Sequence, residues 1–404
     1  MKSTRPAGML FIFITLLVDV IGLGIIIPVL PNLIQNLTGT DESGAAVWGG
    51  WLVGLYALMQ FFFAPIMGAL SDAHGRRPII LLSLLGLGLD YLLMAFAPNM
   101  IWLFIGRAVS GIMGASFSVA QAYIADISAP EKRAQNFGMM GAAFGLGFIL
   151  GPVIGGILGN LEPHYPFVAA AILSLLNLAY GFFILPESHP KENRRPFELK
   201  RANPFSSLKN LSKHSGLIGL SIAFFFLYLA GFSVQSTWSF FGKFAFQWNA
   251  DDIGYSLGAV GVLVSLVQGG LIRYTSKSLG DKKSILVGMI FSTVGLFLFS
   301  FATSGWMMYL FLVPYCLGGL ATPALQSIIS KQVPLNEQGE MQGTLSSLIS
   351  ITSFIGPLVM TGLFSVFSSS SAPFKFPGAA FFAGGICCIV ALFIAMRTLK
   401  NKSL

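Results

Sequence analysis

The sequence predicts an all-α integral membrane protein, with twelve transmembrane helices arranged as two pseudo-symmetric six-helix bundles. Three observations carry that prediction. Of the 404 residues, 54% are hydrophobic and only 10% charged, with a mean hydropathy of +0.76. Soluble domains carry about 25% charged residues, so lipid must replace water over most of this surface. Apolar runs near the roughly 20 residues that cross a hydrocarbon core recur along the whole chain. All but three of the 24 Lys and Arg residues then fall on alternate loops. A soluble enzyme is excluded.

The first run, 9–33, exceeds the roughly 7–15-residue core of a cleaved signal. It also contains Asp19, Pro28 and Pro31, so it reads as a span that stays. Spans 2 to 6 follow at 48–70, 79–97, 100–125, 136–159 and 165–185. The polar interval 186–214 separates them from spans 7 to 12, at 215–241, 252–273, 284–302, 305–330, 340–366 and 376–397. The domain expectation is therefore an N-terminal bundle (1–185), a central loop (186–214) and a C-terminal bundle (215–404).

Basic residues orient these spans. The termini, the loops after spans 2, 4, 8 and 10 and the central segment hold every Lys and Arg except Arg107, Lys243 and Lys375. By the positive-inside rule that side is cytoplasmic, with both termini inside. The net charge of +8 thus reports topology, and no nucleic-acid partner is expected. Cys316, Cys387 and Cys388 lie in apolar runs, and the four histidines sit in or beside loops. Neither set has disulfide or metal-ligand spacing. No metal or cofactor is expected.

The two halves repeat. GALSDAHGRRP (68–78) after span 2 has a weaker counterpart in GGLIRYTSKSLGDKK (269–283) after span 8. Gly151-Pro152 and Gly356-Pro357 are separated by the same offset as Gln121 and Gln326. Parallel six-helix repeats about an axis along the membrane normal, with substrate held between the halves, are the layout of major facilitator transporters.

Several segments resemble that superfamily, and more narrowly its tetracycline/proton antiporter group. GALSDAHGRRP resembles the cytoplasmic loop signature, GRAVSGIMGA (106–115) the span-4 signature and GLGFILGPVIGG (145–156) the span-5 signature of drug antiporters. LLVDVIGLGIIIPVLPNL (16–33), YALMQ (56–60), LGLDYLLMAF (87–96) and PALQSIISKQVPLNEQGEMQG (323–343) are similar to the tetracycline exporters. The resemblance runs over nearly the whole chain. It departs at two places: the group's span-8 histidine and span-9 aspartate correspond here to Val264 and Ser292.

Ionisable groups within a bilayer cost about 2.5–3.5 kcal/mol each at mid-helix, and this chain keeps them in its first half. Asp19 in span 1 is the leading proton carrier. Burial favours a protonated carboxyl and contact with water or a cation the ionised one, an alternation that exchange requires. The alternative is a static partner for Arg107 or for backbone freed near Pro28 and Pro31. Asp90 in span 3 and Arg107 in span 4 complete the proton-coupling set; for both, a structural ion pair is the competing reading.

The loop signature reads as a gate. Gly75 permits a tight turn, and Asp72 can face the positive N-terminus of span 11. Arg76 or Arg77 can pair with Asp126 at the end of span 4, with Arg133 nearby; plain positive-inside anchoring explains part of this charge. Gly147, Gly151, Gly155 and Gly156 give span 5 a small-residue face that packs closely, and Pro152 bends it. The drug-antiporter resemblance implies that this interface seals against proton leak.

By superfamily analogy, spans 1, 4, 7 and 10 line the cavity. The substrate-binding candidates are Gln121, Gln235, Trp238 and Gln326, with Gln60 and Gln268 from spans 2 and 8. Amides and aromatic faces suit a bulky amphipathic ligand, although each glutamine could equally serve as an interhelical hydrogen bond. The expectation is a proton-driven exporter of amphipathic drugs such as tetracycline, including a metal-chelated form, in a cell inner membrane. Two alternatives stay open: a same-fold transporter of a metabolite or siderophore, and a nontransporting receptor or channel. No phosphate-binding loop supports an ATP-driven pump.

Overall fold

The structure is a computed structural model that describes residues 5–114, 116–128, 133–194, 196–197, 217–333 and 338–400. Among these, twelve helices are long and apolar enough to cross a membrane. Spans 1 to 6 are Gly8–Ile26, Glu42–His74, Arg76–Ala95, Met100–Ile127, Met139–Leu161 and Tyr165–Ile184; spans 7 to 12 are Ile218–Phe246, Ala250–Leu271, Gly280–Ser300, Gly305–Lys331, Met341–Ser368 and Ala379–Lys400. Most of the central loop lies outside the described residues.

Span 1 ends earlier than its hydropathy suggests. Pro28 has no N–H to donate, and the chain turns there on Ile27 N–H to the Gly24 carbonyl (3.2 Å) and Val29 N–H to the Ile26 carbonyl (3.2 Å). Helix resumes at Leu30–Thr38. Span 8 carries a π-helical turn at Val267–Leu271, and span 10 a 3₁₀ turn at Gly318–Leu320.

The chain forms two compact units, each assembled from three separated segments. The N-terminal unit holds Met1–Thr38, Leu55–Pro204 and Asn249–Gly258; the C-terminal unit holds Gly39–Gly54, Phe205–Trp248 and Ala259–Leu404. These bounds differ from the expected 1–185 and 215–404, because hydropathy marks where a span lies and not what it packs against. Within the N-terminal unit, span 1 packs on spans 5 and 6, and span 3 on spans 4 and 6. Within the C-terminal unit, span 7 packs on spans 11 and 12, and span 9 on spans 10 and 12. Adding six to each number in the first set gives the second.

Small residues set the closest approaches. Gly147, Gly151, Gly155 and Gly159 recur every fourth residue along one face of span 5. There a Cβ would strike Val20, the Ile21 carbonyl and the Ile25 carbonyl of span 1, and then Val29 in the turn beyond it. Gly156 faces elsewhere, against the Ala250 carbonyl at the start of span 8, within the same unit. Pro152 packs on Gly24, where a Cβ would lie 2.9 Å from its Cδ.

The C-terminal unit has an aromatic centre. Trp238 is 1% exposed, and its ring centroid lies 5.3 Å from Phe299, 6.5 Å from Phe381 and 6.3 Å from Trp248. Phe241 stands edge-on to Phe381 at 5.0 Å. Edge-to-face pairs of this kind add about 0.5–1.5 kcal/mol each beyond their area burial.

Candidate functional site

Span 3 organises the N-terminal unit through its helical phase. Arg76, Ile79, Ile80, Ser83, Leu84, Leu87, Asp90 and Tyr91 are its buried side, at the i, i+3, i+4, i+7 spacing of one face. Leu82, Leu85 and Leu89 point outward and are exposed. The inward face carries two polar clusters: one at Asp90 and Tyr91, the other at Arg76, about 21 Å away along the axis.

The Asp90 cluster gathers side chains from four helices. Asp90 is 2% exposed, and Arg107 of span 4 is also buried. The two interact electrostatically, with the Ser110 side chain beside them, but no ion pair joins them among the described residues. Ser110 Oγ donates to the Gly106 carbonyl at 3.0 Å. Both Asp90 carboxylate oxygens are left buried without a hydrogen-bond partner. Gly106 makes the room: a Cβ there would lie 2.7 Å from Asp90 Oδ1.

Asp19 belongs to the same electrostatic neighbourhood. Tyr91 lies within reach of Asp19, Asp90, Tyr56 and Arg107, and Tyr56 of span 2 senses the same three charged groups. Tyr91 Oη lies against span 1 at Gly22, where a Cβ would be only 2.5 Å away, less than one turn beyond Asp19. Gln60 Nε2 donates to Tyr56 Oη and to the Gly114 carbonyl, both at 3.4 Å. Asp19 itself is half-buried, and no hydrogen bond or ion pair holds its carboxylate among the described residues. Tyr56 and Tyr91 are therefore the shared neighbours of Asp19, Asp90 and Arg107, and Gln60 joins them through Tyr56.

Sequence reasoning missed Tyr56 and Tyr91. Signals existed: Tyr91 follows Asp90 directly, and Tyr56 precedes Gln60 by one helical turn, the spacing at which side chains meet. Neither carries a charge, so neither stood out in an apolar span.

The second cluster revises the loop assignments. Arg76, not Arg77, meets Asp126: its Nε lies 3.2 Å from Asp126 Oδ2. Arg76 also pairs with Asp72 at 2.5 Å and donates to Ser71. Arg77, one position round the helix, donates to the Phe182 carbonyl at 2.7 Å. Asp126 accepts from Ser188 Oγ at 3.1 Å, and His189 Nδ1 stands 4.0 Å from it. Arg133 begins its helix, but its side chain lies outside the described residues.

Glu187, which no sequence signal singled out, closes this cluster. It accepts from the backbone N–H of Arg76 (2.9 Å) and of Arg77 (3.3 Å), so a carboxylate from beyond span 6 caps the N-terminus of span 3. First-turn N–H groups lack intrahelical partners, and a negative charge there is favourable. Gly75 precedes the helix at φ 104°. That is a left-handed conformation, and a Cβ there would also overlap the Glu187 carboxylate.

The remaining candidates separate. Gln121, Gln235 and Gln268 are exposed, and Gln326 is half-buried. Gln268 lies in the π-helical turn of span 8, with Nε2 3.9 Å from where a Gly319 Cβ would stand. Trp238 is corrected: it is the buried centre of the aromatic cluster, presenting no open face for a ligand. A sequence scan cannot distinguish these two fates of a tryptophan, since both are apolar positions on one span. Ser292 is 8% exposed and fills the space opposite Gly318, where a Cβ would overlap its hydroxyl.

Comparison with known proteins places this geometry in context. The sequence profile of the Major Facilitator Superfamily matches residues 12–277 and 229–403. The chain is 41% identical over 392 residues to the tetracycline resistance protein, class C, of Escherichia coli, covering 97% of this chain and 96% of that protein. It is 42% identical over 367 residues to the class E protein of the same organism, covering 90% and 89%. Its fold is similar to the inward-facing crystal structure of a bacterial homologue of the human lysosomal transporter Spinster. The TM-score is 0.80 at 17% identity, covering 100% of this chain and 99% of that one.

Proposed function

The chain belongs to the major facilitator superfamily and, within it, to the group of the tetracycline resistance proteins, and from that premise we propose that it exports tetracycline in exchange for protons. The observation that carries this reading is the pair of carboxylates inside the N-terminal unit: among the described residues no hydrogen bond or ion pair holds Asp19, and both Asp90 oxygens are buried without a hydrogen-bond partner. A carboxylate locked in an ion pair would hold one protonation state. These two can change theirs as water or a cationic substrate arrives. Asp19 carries the exchanged proton; Arg107 steadies Asp90 when it is ionised; Tyr56 and Tyr91 are neighbours of both carboxylates.

Tetracycline binds as its metal chelate, a cation whose positive charge an ionised carboxylate can meet. Gln60, Gln121, Gln235, Gln268 and Gln326 supply amide contacts to it. Asp72, Gly75, Arg76, Arg77, Asp126 and Arg133 act at the basic end, which faces the cytoplasm with both termini, in an inner membrane. Gly147, Gly151, Pro152, Gly155 and Gly156 seal the bundle against leak.

A second reading keeps the mechanism and changes the cargo. Val264 and Ser292 stand where the resemblance places a histidine and an aspartate, and Ser292 is packed against Gly318 with little room for a larger side chain. Inside-out vesicles energised to an acid interior test both. Proton release on adding Mg²⁺–tetracycline, absent in Asp19→Asn, supports the first reading. Release with other amphipathic drugs only supports the second, and silence across the panel overturns drug export in favour of a same-fold transporter of a metabolite.

A further inference from the structure

We propose that a cleft at the basic end of the N-terminal unit binds the phosphate of an anionic glycerophospholipid, between Arg77 and Arg194. The cleft, about 340 Å³, lies between the start of span 3 (His74, Arg77, Pro78) and the end of span 6 (Phe182), with Glu187 and Arg194 closing it. Its charge is unbalanced. Two guanidinium groups line it beside one carboxylate, and that carboxylate already accepts from the backbone N–H groups of Arg76, Arg77 and His189.

Each arginine is anchored but not saturated. Arg77 donates one Nη2 bond to the Phe182 carbonyl, and its guanidinium lies 5.9 Å from the Phe182 ring centroid. Its Nε is buried with no hydrogen-bond partner among the described residues. A buried donor left so is destabilising, and an acceptor oxygen there would relieve it. Arg194 is held by the His189 carbonyl at 3.4 Å and by Glu187 at 3.8 Å. Both arginines thus have donors left for a phosphate, which guanidinium planes match well.

The surroundings select a lipid over a free anion. The cleft opens where two membrane-crossing helices end, and its apolar lining of Pro78, Leu81 and Phe182 continues into outward-facing Leu82, 50% exposed, and Phe183, 81% exposed. In a membrane, those side chains meet acyl chains. A headgroup phosphate between the arginines would leave its acyl chains on this apolar lip, and basic pockets between spans bind acidic lipids in this way.

The test uses the full-length protein in phosphatidylcholine nanodiscs titrated with phosphatidylglycerol, retained lipid being counted by native mass spectrometry. Arg194→Gln should weaken phosphatidylglycerol retention about fivefold, the effect of about one basic residue near an anionic lipid. Arg77→Gln with Arg194→Gln should weaken it about 25-fold by the same measure. Phosphatidylcholine retention should not change. Arg194 lies in a loop, so its variant keeps the helices intact and the result readable. Wild-type retention in both variants overturns the proposal. Displacement of the lipid by an equal concentration of inorganic phosphate overturns the lipid assignment in favour of a free-anion site.

Discussion

The two units repeat one packing scheme but place charge differently within it. In the N-terminal unit Asp90 and Arg107 are buried and Asp19 half-buried beside an apolar core that includes Phe11, Leu16 and Leu84; in the C-terminal unit Trp238, Phe241, Phe299 and Phe381 form an aromatic centre, and its buried polar side chains among the described residues are uncharged serines and threonines. The offset that pairs Gln121 with Gln326 also pairs Arg107 with Leu312, which is fully buried. One position in a duplicated scaffold thus carries a guanidinium in one copy and an aliphatic chain in the other. Helix packing here constrains shape and spares polarity: small residues set how close the helices come, and the groups between them are free to diverge.

That contrast yields predictions in which activity and stability part company. The largest effect falls on activity. Asp19→Asn should reduce proton-coupled transport to the background of empty vesicles while leaving the thermal unfolding midpoint near wild type. Transport at an undiminished rate would remove the proton role from span 1. Trp238→Ala should do the reverse, costing about 3–5 kcal/mol of stability with transport per folded molecule retained. A large loss of transport in well-folded Trp238→Ala protein would move this side chain from core to substrate cavity.

A smaller effect probes whether Arg107 and Asp90 act as a unit. Arg107→Leu installs the residue of the second half and leaves Asp90 without its neighbouring charge. Paired with Asp90→Asn, it should give a coupling energy of about 0.5–3 kcal/mol in a double-mutant cycle of unfolding; additive effects would mean that the two are independent. The smallest effect concerns the cap on span 3. Glu187→Ala should cost about 0.5–2 kcal/mol, measured by thermal unfolding, and an unchanged midpoint would mean that water replaces the carboxylate without loss.

Much of this was legible in the residues. The twelve spans follow from apolar length, the repeat from paired Gly-Pro and Gln positions, and the charged trio from the cost of placing ions in lipid. The choice of Arg76 over Arg77 was also within reach: Arg76 shares the 3.6-residue phase of Ile79, Ile80, Ser83 and Leu84, and Arg77 does not. Two features lay beyond local reasoning. Glu187 caps a helix that begins 111 residues earlier, and nothing near either position announces the partner. Trp238 became core through rings from spans 9 and 12, which are 61 and 143 positions further along the chain to Phe299 and Phe381. Contacts of that range are set by the fold, so their chemistry is read only after it.

The discontinuous make-up of the two units has a consequence for how the protein is made. The N-terminal unit includes Asn249–Gly258, and the C-terminal unit includes Gly39–Gly54. A ribosome that has finished the sixth span has therefore not yet supplied every piece of the first unit; the last arrives only after the seventh span has been threaded. Meanwhile Gly39–Gly54, made among the first to emerge, is joined to the rest of span 2 but grouped with helices still to be translated. Neither half is complete at birth. A chain cut within the central loop would yield two fragments that each lack a piece of the unit they otherwise form, so they should accumulate together and be degraded apart.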